Sequence, residues 1–203
     1  MAILRIGITG GIGSGKSTVA RVFNTIGIPI YLADTAAKRL MEEDDELKKA
    51  IIAHFGEEAY INGKLNRPYI SAIVFSNKEK LEELNSLVHP VTKRDGEEWM
   101  QQQHTPYAIK EAALIFESGT QEQLDYVIGV YAPQHIRTHR VMQRDKVTRE
   151  EVLQRMRNQI SETIKMRLCD YVIVNDDQQL VIPQVLQIHE ELCRLAQKKS
   201  IHE

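Results

Sequence analysis

The chain has 203 residues, 42% of them apolar, with 26 Lys and Arg set against 28 Asp and Glu. That length fits one compact unit with inserted subdomains, and the near balance of charge argues against a general nucleic-acid binder, which carries a basic excess. No run approaches the roughly 18 apolar residues of a membrane span, the N-terminus lacks a secretory pattern, and Cys169 and Cys193 have neither zinc nor disulfide-framework spacing. The expectation is a cytoplasmic protein with no membrane and no nucleic-acid partner.

Leu4-Arg5-Ile6-Gly7-Ile8-Thr9 is a β-rich run closed by glycines and reads as a buried strand. A helix follows from Lys16 to about Thr25, with Val19, Ala20, Val22 and Phe23 to face a sheet, and Gly27 stops it. Ile28 to Leu32 reads as a second strand, Pro29 marking its start or a sheet edge. Strand, loop, helix, strand is the signature of a parallel α/β sheet. From Thr35 to His104 the texture is helical almost throughout, broken at Gly56 and at Asn62-Gly63. Ser76-Asn77-Lys78-Glu79 matches a capping box, and His89-Pro90 places a proline in the first turn of a further helix, where its missing N–H costs nothing. Strands return at Tyr107 to Glu111, Tyr126 to Tyr131 and Tyr171 to Val174. Between the last two lies an arginine-rich helical stretch from Gln134 to Leu168, with a second capping box at Thr148-Arg149-Glu150-Glu151. Val181 to Ala196 is a closing amphipathic helix, and the polar tail 197–203 is expected to fray.

Gly10-Gly11-Ile12-Gly13-Ser14-Gly15-Lys16-Ser17 matches the phosphate-loop pattern G-x-x-x-x-G-K-[ST]. Glycines let the backbone curl so that N–H groups of the loop, from Gly11 through Gly13, Ser14 and Gly15, point inward at phosphate oxygens. The helix that starts there aims its positive dipole end at the same anion. Lys16 would reach the β- and γ-phosphates of ATP, and the Ser17 hydroxyl would hold Mg²⁺. Thr18 is either a minor phosphate contact or a helix residue turned to the sheet. The motif follows a β-rich run and opens a helix, as the mechanism requires.

The loop alone covers kinases, GTPase switches and motor ATPases. A GTPase should show Asn-Lys-x-Asp, and the nearest string, Asn77-Lys78-Glu79-Lys80, lacks the Asp and follows no strand. A motor ATPase should show an apolar strand ending in an acid, and Val127-Ile128-Gly129-Val130-Tyr131 ends in none. Glu111 and Glu117 are the acids near the third strand, and Glu117 is either a surface cap, the favoured reading, or a functional group. A kinase needs a base for its acceptor, and Asp34 follows the second strand, on the rim where parallel sheets bind ligands. A carboxylate there could take the hydroxyl proton as the acceptor oxygen attacks the γ-phosphorus; the alternative is a helix cap. Arg137, Arg140 and Arg144 recur at i, i+3 and i+7, one face of a helix. Arg140 and Arg144 are the pair suited to stabilise the charge that phosphoryl transfer spreads over the γ-oxygens.

With these residues in view the chain resembles the dephospho-coenzyme A kinase family of phosphate-loop enzymes, nearly end to end. Gly7 to Thr18 looks like the family's opening. Ala33-Asp34 with Ala36-Ala37 and Lys38-Arg39 resembles its Asp-Ala-Asp-x-x-Ala-Arg segment, and Leu87-Val88-His89-Pro90 its His-Pro. Leu114-Ile115-Phe116-Glu117 is similar to its Leu-Leu-Phe-Glu, Gln143-Arg144-Asp145 to its lid motif, Arg155-Met156-Arg157-Asn158-Gln159 to its Arg-x-x-x-Gln, and Asp170 to Asn175 to its late strand. The resemblance implies that ATP with Mg²⁺ phosphorylates the 3′-hydroxyl of the ribose of dephospho-CoA, the last step of coenzyme A synthesis. It implies Asp34 as base, Lys16 and the loop amides as phosphate ligands, Arg140 or Arg144 as a lid over the nucleotide, and Asn175 near the adenine. His89 is a candidate for the acceptor. The fold it implies is α/β: a five-stranded parallel sheet flanked by helices (1–34, 105–133 and 168–203), a helical acceptor domain at 35–104 and a helical lid at 134–167.

Three departures from the family pattern stand out. Leu32 replaces the first Asp of Asp-Ala-Asp, Ala112-Ala113 stands where a proline is usual, and Asp176-Asp177 follows Asn175 where a turn glycine is common. Two other readings compete with the family's: a kinase for another small acceptor such as a nucleoside or nucleoside monophosphate, and a nucleotide-operated switch. Oligomeric state and the residues that hold the pantetheine arm are open at this level.

Overall fold

The computed structural model describes residues 3–202 and divides into two compact units, 1–31 with 102–203, and 32–101. The first is built on a parallel sheet of five strands: β1 (Leu4–Thr9), β2 (Ile30–Leu32), β5 (Tyr107–Glu111), β6 (Tyr126–Tyr131) and β7 (Tyr171–Val174), in the order β2-β5-β1-β6-β7. β1 sits at the centre, bonded to β5 through Leu4↔Tyr107 to Ile8↔Glu111 and to β6 through Ile6↔Tyr126 to Thr9↔Gly129. The chain leaves β1 toward β2 on one side and later toward β6 and β7 on the other. That reversal opens a crevice beyond the carboxyl end of β1, the usual place for a ligand in such sheets. Pro29 precedes β2, an edge strand, where its missing N–H breaks no ladder bond.

Strand alternation sorts the two faces. Leu4, Ile6 and Ile8 of β1, with Ile109, Ile128, Val130 and Ile173, pack against Val19, Ala20 and Phe23 of α1 (Lys16–Thr25) and Val185, Ile188 and Leu192 of α9 (Val181–His202) in one fully buried cluster. On the opposite face the central strands carry glycines. A Cβ on Gly7 would lie 2.6 Å from Leu124 and 2.8 Å from Ile115, and one on Gly129 would lie 2.8 Å from Met166 and Cys169. These bare positions let the segment after β5 and the helix α8 (Glu162–Arg167) lie close against the sheet. Helix α9 runs on to His202 instead of ending near Ala196; Lys199 in its last turns is tied to Asp125 at 2.8 Å.

The charged helical stretch expected between β6 and β7 is three helices, α6 (Gln134–Asp145), α7 (Arg149–Arg157) and α8. Lys146 ends α6 in a left-handed turn (φ 57°), and the Thr148–Glu151 capping box starts α7.

The second unit holds α2 (Ala33–Glu43), α3 (Asp45–Phe55), a hairpin of β3 (Tyr60–Ile61) and β4 (Lys64–Leu65), α4 (Arg67–Ser76) and α5 (Lys78–Gln101) around Leu40, Leu47, Ile51, Phe55, Ile70 and Val88. Asn62-Gly63 breaks the helical stretch as expected, and does so as the turn of a β-hairpin: both residues have positive φ (51° and 76°), as a two-residue hairpin turn of the primed type requires. Two expectations are corrected here. Ser76 closes α4, its hydroxyl bonded back to Ala72 and Ile73, and Asn77 accepts from the N–H groups of Glu79 and Lys80, so the capping box on Ser76 does not form. Pro90 does not start a helix. α5 runs through it, held by Val88, Thr92, Gly96 and Met100 on its buried side, with the Thr92 hydroxyl donating to the Val88 carbonyl at 2.9 Å.

Candidate active site

β1 hands the chain directly to the glycine loop, and α1 begins at Lys16. Gly15 precedes the helix in the left-handed region (φ 91°), and no side chain caps that end. Helix amides left without a side-chain cap suit an anion. Gly13 is also left-handed (φ 81°), and there is no room for a side chain at either place: a Cβ on Gly13 would lie 2.5 Å from the Arg137 carbonyl oxygen, and one on Gly15 would fall on the Asn175 amide. The loop is braced internally by the Ser14 N–H donating to the Gly11 carbonyl at 3.0 Å. Ser14 is fully buried, and its hydroxyl has no hydrogen-bond partner. Buried hydroxyls are normally paired, so this one fits a loop completed by a bound polar group. Lys16 is half-buried, while Ser17 and Thr18 are exposed on the first turn of α1; Thr18 does not turn into the sheet.

Arg140 of α6 reaches across the loop. Its guanidinium donates to the Ser14 carbonyl at 3.5 Å and the Asn175 carbonyl at 3.1 Å and pairs with Asp177. Asn175, just beyond β7, donates its own amide to the same Ser14 carbonyl at 2.8 Å. The loop, α6 and the end of β7 are thus joined at one backbone oxygen. Arg144 is placed differently. It is largely exposed and bonded twice to Asp145, at 2.7 and 3.1 Å, and Asp145 also takes a bond from Arg155 at 2.9 Å. The hydrogen bond from Arg144 comes first in holding the Asp145 carboxyl below the ordinary aspartate range.

The sequence drew attention away from Arg137, yet it is the buried member of the three arginines, 7% exposed. It pairs with Glu162 at 3.3 Å. Glu162 accepts the Gly11 N–H at 3.4 Å, and the Gln159 side-chain carbonyl accepts the Ile12 N–H at 3.0 Å. A cleft of about 570 Å³ opens beside them, lined by Gln134, Arg137, Met156, Arg157, Gln159 and Glu162 among others. Glu117 is not a surface cap: it pairs at 3.0 Å with Lys165, which is fully buried, and accepts the Ile160 N–H at 3.1 Å. Lys165 donates as well to the Ala113 carbonyl at 2.9 Å. A charge taken wholly out of water needs such a partner.

In the second unit, Asp34 is exposed on the first turn of α2, directly after β2 ends at Leu32. Leu32 takes the N-cap position, and no side chain accepts a hydrogen bond there, so the cap alternative for Asp34 is not realised. His89 is exposed in the interior of α5.

The family model for dephospho-CoA kinase (CoaE) matches residues 4–180. A dephospho-CoA kinase of Porphyromonas gingivalis is 38% identical over 189 residues, 93% of this chain and 94% of the relative, and one of Bacteroides fragilis is 34% identical over 186 residues, 91% of each. The solved structure of a dephospho-CoA kinase from Campylobacter jejuni is similar with a TM-score of 0.70 at 30% identity, covering 94% of this chain and 97% of that one. Taken with the phosphate loop at the switch point of the sheet, these matches establish that the chain belongs to the dephospho-CoA kinase family.

Proposed function

We propose that this protein transfers the γ-phosphoryl group of ATP to the 3′-hydroxyl of the ribose of dephospho-CoA, giving coenzyme A and ADP. The observation that carries the reading is the glycine loop at the end of β1, with Lys16 at the start of α1, in a chain that matches dephospho-CoA kinases over nine-tenths of its length. The Gly11, Ile12 and Ser14 amides, expected from the sequence to face the phosphates, are bonded within the protein to Glu162, Gln159 and the Gly11 carbonyl; other amides of the loop, with the Lys16 ammonium, bind the phosphates. Arg140, already in contact with the loop backbone, closes over the nucleotide beside Asn175, and Arg144 joins it when its bonds to Asp145 are exchanged for phosphate. Asp34 takes the proton of the acceptor hydroxyl as the new O–P bond forms and the bond to the ADP oxygen breaks. Its support is its place after β2 and the lack of a capping task. The helical unit supplies the acceptor side, with His89 as one contact, and the three helices from Gln134 form the lid.

Mg²⁺ fits the residues present. Among the described residues no cluster of three His, Cys, Asp or Glu suits a metal. A divalent ion would therefore ride on the nucleotide's phosphates with the Ser17 hydroxyl as its protein ligand, the habit of Mg²⁺. Held by Ser17, such an ion would supply neutralisation of the charge that builds on the phosphates.

An ADP-release assay across a panel of acceptors tests the reading. Turnover should saturate with dephospho-CoA and stay near background with nucleosides and nucleoside monophosphates. Saturation only with one of the latter would contradict it.

A further inference from the structure

The second residue of the phosphate-loop pattern is unrestricted, yet here it is Gly11, and the structure gives a reason. A Cβ at that position would collide with both the Arg137 Nη1 and the Glu162 Oε2. The bare position leaves room for an ion pair against the loop. Arg137 and Glu162 are both about nine-tenths buried, and the Arg137 Nε is buried without a hydrogen-bond partner. A buried ion pair adds little to stability over an apolar pair of the same volume, so its position against the loop calls for another purpose.

Two loop amides held from this side, one of them by the ion pair, point to that purpose. The N–H groups of Gly11 and Ile12 lie on the first turn of the loop and are taken by Glu162 and Gln159. Both side chains stand at the junction of α7 and α8, and that junction is itself fixed: Glu117 accepts the Ile160 N–H and pairs with Lys165, which is anchored to the Ala113 carbonyl. From the other side the Arg137 carbonyl and Val141 close on Gly13. The loop is therefore clamped between α6 and the start of α8.

We propose that Glu162, oriented by Arg137, and Gln159 are positioning residues for the phosphate loop: they hold its first turn by the Gly11 and Ile12 amides so that the following amides and Lys16 stand ready for the nucleotide's phosphates. Neither need touch ATP. The inference rests on ATP being the phosphoryl donor. It ties the geometry of the loop to the junction between two lid helices, so a shift of that junction alters how the loop grips the donor.

The test is equilibrium titration with ATP and Mg²⁺, with no acceptor present, on the unaltered chain and on Glu162→Ala, Glu162→Gln and Gln159→Ala, each checked for thermal unfolding and steady-state kinetics. Glu162→Ala should bind ATP about tenfold more weakly, the scale of a lost hydrogen bond to a charged group, and should lose turnover while the KM for dephospho-CoA stays the same. Glu162→Gln, which keeps an oxygen for the Gly11 amide, should recover part of the affinity. If Glu162→Ala does not fold, Gln159→Ala carries the test with the ion pair intact. A folded Glu162→Ala or Gln159→Ala chain that binds ATP within twofold of the unaltered protein overturns the proposal. An unaltered chain that fails to bind ATP overturns the functional reading, and this one with it.

Discussion

In the proposed reaction Lys16 and Asp34 take the two halves of the phosphoryl transfer, one gripping the donor and the other activating the acceptor. Because they act on different partners, their variants should separate. Asp34→Asn keeps the shape of the side chain and removes the base; turnover should fall by roughly 10²- to 10⁴-fold with the ATP dissociation constant unchanged. Rapid-quench kinetics beside an ATP titration reads both quantities, and near-native turnover in that variant would remove Asp34 from the mechanism. The glycines, Lys16 and Ser17 are legible in the sequence because loop geometry and phosphate chemistry restrict residue type so tightly. Arg137 and Glu162 are not, since an arginine on an amphipathic helix reads as solvated until its partner, 25 positions away, is brought against it. Glu117 hides in the same way: only the fold shows that it answers the buried charge of Lys165. Arg144 reads from the sequence as a lid candidate, and its bonds to Asp145 could not be foreseen from their adjacency alone.

At the scale of elements, local signals worked where one element stands on its own. The apolar runs at β1, β5, β6 and β7 and the capping box of α7 lie where their composition says. They failed where two signals competed for the same few residues. Ser76 and Asn77 are both good caps, and the asparagine won because Ser76 was already bonded into α4. Pro90 punctuates helices in general, yet the buried side of α5 on both sides of it outweighs the lost bond and the clash of the ring with the Ser86 carbonyl. That cost is still present in the folded state. Pro90→Ala should therefore raise stability by on the order of 1–3 kcal/mol, read as a higher urea midpoint with an unchanged slope. A lower midpoint would show that the proline's rigidity serves the helix instead.

At the scale of the whole molecule, the order β2-β5-β1-β6-β7 puts the phosphate loop on the central strand. Arg140, Asn175, Gln159 and Glu162, which bond to the loop, arrive from segments more than 100 residues later in the chain. Such long-range assembly is why the sheet's existence was readable from local pattern while the company kept by the loop was not. The second unit, with its own core around Ile51 and Phe55, is the part the family resemblance assigns to the acceptor. The central claim joins these parts into one reaction, and its product is the most direct witness. Incubation with ATP, Mg²⁺ and dephospho-CoA, followed by mass spectrometry with fragmentation of the nucleotide, should show one added phosphoryl group on the adenosine ribose, at the 3′-oxygen. Unchanged dephospho-CoA with ATP consumed, or a phosphoryl group added elsewhere on the molecule, would contradict the account.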